Sequence, residues 1–205
     1  MIILRLRGRL GNQLFIYAFG RALQEKYHKP LLFIDNESDT GGTKINELDI
    51  PSDIIIKKYY SGFRYDYYKM KAEDYTNINN GLYAALKKEK AYQDFCREVD
   101  IPEMTWKQKM LFYTHKLNNR KSDAIRRYEK EKSSVDVLAK NGIFICENGW
   151  IEFPKAESEN IFAFGYFQSE KYFLSIANMI KKEIKMKKPL RSNWIKFAQE
   201  IQESN

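Results

Sequence analysis

The chain has 205 residues, enough for one domain or a pair of small ones with a real core. Fourteen tyrosines and thirteen phenylalanines against ten glycines and five prolines exclude a disordered or low-complexity chain. The net charge of +8 is concentrated, with ten Lys or Arg against four acids over residues 104–140 and seven against one over 181–196. Basic stretches of this kind either meet something anionic (a nucleotide-sugar, a membrane surface, nucleic acid) or are simply solvated helix faces. Cys96 and Cys146 stand far apart without a CxxC, which predicts reduced, buried thiols and a cytoplasmic protein. His28 and His115 are isolated from any second ligand, so no metal is expected. No apolar run approaches the roughly 18 residues of a membrane span, and the arginine-bearing start is no signal peptide.

Ile2, Ile3, Leu4 and Leu6 form an apolar, β-branched run that predicts a buried first strand. Gly8-Arg9-Leu10-Gly11-Asn12 interrupts it with two glycines and an asparagine suited to cap a helix. From Gln13 onward Leu14, Phe15, Ala18, Phe19, Ala22 and Leu23 recur at helical spacing. Strand, glycine turn and helix open an α/β unit, and in such folds ligands bind outside the carboxyl ends of the strands. Gly8 and Gly11 lack Cβ and let a ligand approach the backbone closely. The first helical amides are unpaired and suit a phosphate oxygen, Arg9 adds a permanent cation, and Asn12 a donor and an acceptor. The same residues also suit a plain tight turn and a helix cap. Neither G-x-G-x-x-G nor a Walker lysine is present, so this is no standard nicotinamide or ATP loop.

Lys29-Pro30 ends the helix, and Leu31 to Ile34 predict a second strand, parallel to the first and ending at Asp35. Residues 36–62 are polar and turn-rich, with a short Ile54 to Ile56 run. The tyrosine-dense piece from Tyr59 to Tyr75 suits either a sugar platform or a half-buried helix face. Helices are expected from Leu82 to Cys96, Met104 to Leu117 and Asp123 to Leu138, an insertion over about residues 82–141. These basic helices carry Trp, Phe and Tyr, so they are expected to rest on the inner face of a membrane, to hold a glycan acceptor, or to form a peripheral insertion. Strands return at Ile143 to Cys146 and Ile161 to Phe164. After Gly165, Tyr166, Gln168, Ser169 and Glu170 place polar groups at a second strand end, with Ser169 the cap of a helix running to about Lys188.

Gly8-Arg9-Leu10-Gly11-Asn12-Gln13-Leu14-Phe15, continued through Tyr17 to Leu23, resembles the amino-terminal signature of the α-1,2-fucosyltransferases, glycosyltransferase family 11. Gly165-Tyr166-Phe167-Gln168-Ser169-Glu170-Lys171-Tyr172-Phe173 resembles that family's mid-chain motif, and Asn46 to Ile50 its Leu-Asp element. The resemblance implies a GT-B-like α/β architecture of two Rossmann-type halves, of which this chain is the amino-terminal one. It implies GDP-fucose as donor, a β-galactoside-containing glycan or glycolipid as acceptor, and no bound metal. Donor contacts then fall to Gly8, Arg9, Gly11, Asn12 and Gln13, with Arg9 and Asn12 catalytic. Tyr166, Gln168, Ser169 and Glu170 would line the cleft.

The family's His-x-Arg-Arg-Gly-Asp strand is absent from the sequence. The expectation is therefore a sequence truncated before its donor-binding half, weakly active or inactive alone. The alternative is a non-catalytic glycan-binding or scaffold domain derived from the family. Nucleic acid is not expected as a partner, because no RNA- or DNA-binding motif accompanies the charge.

Overall fold

The computed structural model describes residues 1–36, 45, 48–59, 93–119, 122–147, 149–185 and 187. Five strands, β1 (Ile2–Leu6), β2 (Leu31–Asn36), β3 (Ile55–Tyr59), β4 (Ile143–Cys146) and β5 (Ile161–Gly165), form one sheet in the order β3-β2-β1-β5-β4. Every pairing is parallel. The expected α/β class is therefore present, with β1 at the centre and the chain building outward on both sides of it. Parallel strands need cover on both faces, and the alternation in β1 supplies it. Ile2, Leu4 and Leu6 enter one core, while Ile3 enters the other.

Helix α1 (Leu10–Tyr27) covers the first face, together with the loop through Ile151 and Phe153. Phe19 stacks on Phe167 with ring centroids 3.9 Å apart, and Phe144 stacks on Phe153 at 4.7 Å. The opposite face is covered by Cys96 and Ile101 and by Phe112 of helix α2 (Trp106–Asn119). The described part of the 82–141 stretch thus packs on this face of the sheet. Helix α3 (Ala124–Lys140) lies beside β4 and runs antiparallel to α2, with Asp123 capping it through the Arg126 amide at 2.8 Å. Cys96 and Cys146 form no disulfide and are buried, as expected.

One expected element breaks. In place of a helix from Ser169 there are two 3₁₀ turns, Glu170–Tyr172 and Leu174–Ile176, and only then α4 (Ala177–Glu183). Ser169 does cap the first turn, accepting from Lys171 N. Tyr172 is then held in the aromatic core with its hydroxyl accepting from Ile151 N at 2.9 Å, which keeps the chain from continuing as one helix. The expected elements at 60–92 and beyond 187 fall outside the described residues.

Two polar contacts fix the layers. The Arg21 guanidinium grips Glu183 with both ends, at 3.1 and 2.8 Å, and Tyr17 donates to the same carboxylate at 2.6 Å. Burial first, and the Glu183 bond second, push the Tyr17 hydroxyl far above its ordinary pKa, so it stays a donor. Removing one partner strands a charge, so Glu183→Ala is expected to cost roughly 3 kcal/mol in urea unfolding. The double variant Arg21→Met/Glu183→Leu is expected to cost less than the sum of the two single changes.

Between α2 and α3, Asn119 Nδ2 donates to His115 Nε2 at 2.7 Å, and His115 Nδ1 donates to Ser134 Oγ at 3.1 Å. The Ser134 hydroxyl in turn donates to the Lys130 carbonyl. Burial, then the Lys130 charge, hold His115 below its ordinary 6.5. The unfolded chain then takes up this proton first, so the contribution is complete above pH 6.5 and declines as pH falls below it. Unfolding titrations across that range are expected to show the decline in the native chain and a smaller one in His115→Asn.

Candidate functional site

The site is assembled where β1 and β5, neighbours at the centre of the sheet, end side by side. Gly8 sits at φ +70°, and a Cβ there would run into the Asn12 amide, so glycine is required at this turn. Arg9, extended, is the N-cap residue of α1, and no side chain caps the helix. The expected cap, Asn12, instead lies inside the first turn. Its Oδ1 accepts a hydrogen bond from Gln168 Nε2 at 2.7 Å, across 156 residues of sequence. The two strand ends singled out from sequence are therefore joined directly.

The remaining residues divide by task. Gln13 is fully buried; its Nε2 donates to the Gly8 carbonyl at 2.9 Å and its Oε1 accepts from Ile45 N at 3.1 Å. It shapes the turn from beneath and is shielded from any ligand. Gly11 is exposed and helical, and a Cβ there would meet nothing within 4 Å. Arg9 is exposed, and among the described residues no hydrogen bond or ion pair engages its side chain. The first turn of α1 contains no acid. An unspent cation beside uncapped helical amides is an arrangement that accepts an oxyanion.

On the β5 side, Gly165 stands at φ +142°, where a Cβ would overlap the Cys146 carbonyl. Phe167 follows at φ +50° and is almost fully buried against Phe19, so a strained residue anchors the loop while Gln168 is exposed. Ser169 serves the 3₁₀ turn, and Glu170 faces solvent at its start. Tyr166 lies under the Arg7 guanidinium, 5.0 Å from its ring centre.

Arg7 and Glu147 belong to the site although the motifs did not indicate them. Arg7 Nη1 meets Glu147 Oε1 at 2.7 Å, linking the ends of β1 and β4. The signal available was an arginine one step past an apolar strand, but its partner 140 residues away has no sequence mark. Glu147 also lines a cavity of about 350 Å³ with Phe112, Ile145, Phe164, Arg127 and buried Glu131. Glu131 Oε2 accepts from Glu147 N at 3.2 Å, which fixes that wall. Among the described residues, no group of three or more His, Cys, Asp or Glu could hold a metal ion. No helix among them is long and apolar enough to cross a membrane.

Comparison with family models, curated proteins and solved structures returns no match for this chain.

The two glycines of the turn are expected to respond oppositely. Gly8→Ala, forced to positive φ against Asn12, should lose roughly 1–2 kcal/mol of stability. Gly11→Ala should gain about 0.5–1 kcal/mol in thermal or urea unfolding, because the helix gains propensity and the added methyl meets open space. If ligand approaches the backbone here, the same Gly11→Ala variant loses affinity while gaining stability.

Proposed function

We propose that the chain carries the amino-terminal, Rossmann-type half of a GT-B-like α-1,2-fucosyltransferase and uses the β1–α1 turn to hold the diphosphate of GDP-fucose. The observation that carries this reading is the Asn12–Gln168 bond. The two stretches that resemble the family lie far apart in sequence, and that bond unites them at adjoining strand ends. The free Arg9 side chain and the uncapped start of α1 supply positive charge of the kind a diphosphate requires.

In the transfer, an acceptor hydroxyl oxygen forms a bond to the anomeric carbon of fucose as the bond to the terminal phosphate of GDP breaks. Negative charge grows on the departing GDP, and Arg9 with the α1 amides would offset it as it appears. The proton released by the hydroxyl needs a carboxylate. Glu147 is in reach of both regions, since it pairs with Arg7 at the strand ends and lines the 350 Å³ cavity. A cavity of this size is near the lower end of the range for small-molecule sites, roughly 300–1,000 Å³. Its aromatic and carboxylate lining suits the apolar face and hydroxyls of a β-galactoside.

Calorimetric titration with GDP-fucose tests the reading, with GDP-mannose as control. Selective binding by the native chain is expected, with affinity weakened roughly tenfold or more by Arg9→Ala, because a charge-assisted contact is lost. Absence of binding by folded protein, or equal affinity in the Arg9→Ala variant, would overturn the donor-turn assignment. Galactoside binding without any nucleotide-sugar binding would instead favour a non-catalytic glycan-binding domain.

A further inference from the structure

Helix α2 inverts the usual amphipathic arrangement. Its inward stripe, at spacings of four, three and four, is Gln108, Phe112, His115 and Asn119, all buried and three of them polar. Its outward stripe has the same spacing and is apolar: Trp106 is 75% exposed, Met110 50%, Tyr113 37% and Leu117 68%. A surface helix ordinarily turns its apolar stripe inward. Here the inward polar groups are locked. Gln108 Nε2 donates to Asn141 O at 2.8 Å and to Ser158 Oγ at 3.1 Å, while its Oε1 accepts from Thr105 N at 2.9 Å. His115 is held between Asn119 and Ser134. Rotating α2 to bury Trp106 and Leu117 would break every one of these bonds, so the apolar stripe faces outward by construction.

The charges carried by α2 itself have one sign. Over Trp106–Asn119 there are three lysines and no Asp or Glu. Lys107 and Lys116 are exposed next to Trp106 and Leu117 in sequence. The acid preceding the helix, Glu103, is neutralised by Lys109 at 2.6 Å and Arg97 at 3.7 Å. Tryptophan and tyrosine on an apolar stripe, on a helix that carries lysines and no acid of its own, match a helix that lies in the interface of an anionic bilayer. A contiguous apolar stripe of this kind is also more than scattered surface hydrophobes.

We infer that the outward face of α2 docks the protein on an anionic lipid surface, with Trp106, Met110, Tyr113 and Leu117 entering the headgroup–acyl boundary and Lys107 and Lys116 meeting lipid phosphates. The inference does not rest on the nucleotide-sugar turn, although Tyr113, Lys116 and Leu117 of α2 also line the 350 Å³ cavity, which would place that cavity's mouth at the lipid surface. Vesicle flotation tests it, using phosphatidylglycerol mixed into phosphatidylcholine, with pure phosphatidylcholine as control. The native chain is expected to float with the anionic vesicles and to be released by high salt, as the lysine contacts are screened. Trp106→Ala/Leu117→Ala is expected to weaken partitioning roughly ten- to a hundredfold with an unchanged circular dichroism spectrum. A native chain that ignores anionic vesicles would overturn the inference, as would a well-folded double variant that floats as well as the native chain. So would a native dimer that the double variant converts to monomer without any change in flotation, because the stripe would then belong to a second copy of the chain.

Discussion

Everything in this fold depends on β1 being buried on both faces. It is the central strand of a parallel sheet, paired with β2 on one side and β5 on the other, and its side chains feed two separate cores. A parallel strand so placed cannot leave either face to water. The first face is met by α1, whose Phe19 and Tyr17 reach the aromatic cluster and the Glu183 carboxylate. The second is met by residues around Cys96 and Ile101 and by α2. Once β1 is fixed, its carboxyl end has one position, and the glycine turn is presented there next to the end of β5.

That placement connects packing to chemistry. Gln13 is wholly buried, yet its amide determines the path of Gly8 above it, so the turn is shaped from within the core. Phe167 plays the corresponding part on the other strand, tolerating a left-handed backbone because its ring is clasped by Phe19. The exposed groups Arg9, Gly11 and Gln168 thereby ride on rigid supports. A site that must stabilise charge gains from such support, since donors already in position need no reorganisation. On the adjoining side, the Arg7–Glu147 pair ties the turn's strand to the cavity wall.

Much of the sheet was legible in the sequence because buried parallel strands read as apolar runs. Ile143 to Cys146 corresponds residue for residue to β4, and Leu31 to Ile34 falls inside β2. The paired strand ends were legible too, because glycine and polar clusters interrupt strong periodicity there. Other features had no local mark. The Ile54 to Ile56 run marked only the start of β3, whose Lys57 and Lys58 are charges that suit an edge strand but obscure its pattern. The strand order places β5 between β1 and β4, a matter of tertiary pairing. Asn12 does not cap α1 and Gln13 is buried beneath the turn, because which of two adjacent amides is buried depends on where α1 sits against the sheet. The facing of α2 was equally hidden: Trp106 and Met110 look like core residues until the bonds of Gln108 show which side is held inward.

The central claim is that the β1–α1 turn, with Gln168 beside it, forms an oxyanion site for a nucleotide-sugar diphosphate. Amide chemical-shift mapping with isotopically labelled protein addresses it directly, by adding GDP and then GDP-fucose to the native chain. The expected result is a set of saturable shifts confined to the amides of Gly8 through Gln13 and those around Gln168, with further changes near Glu147 only when the sugar is present. Saturable shifts located elsewhere, with the turn amides unmoved, would contradict the account.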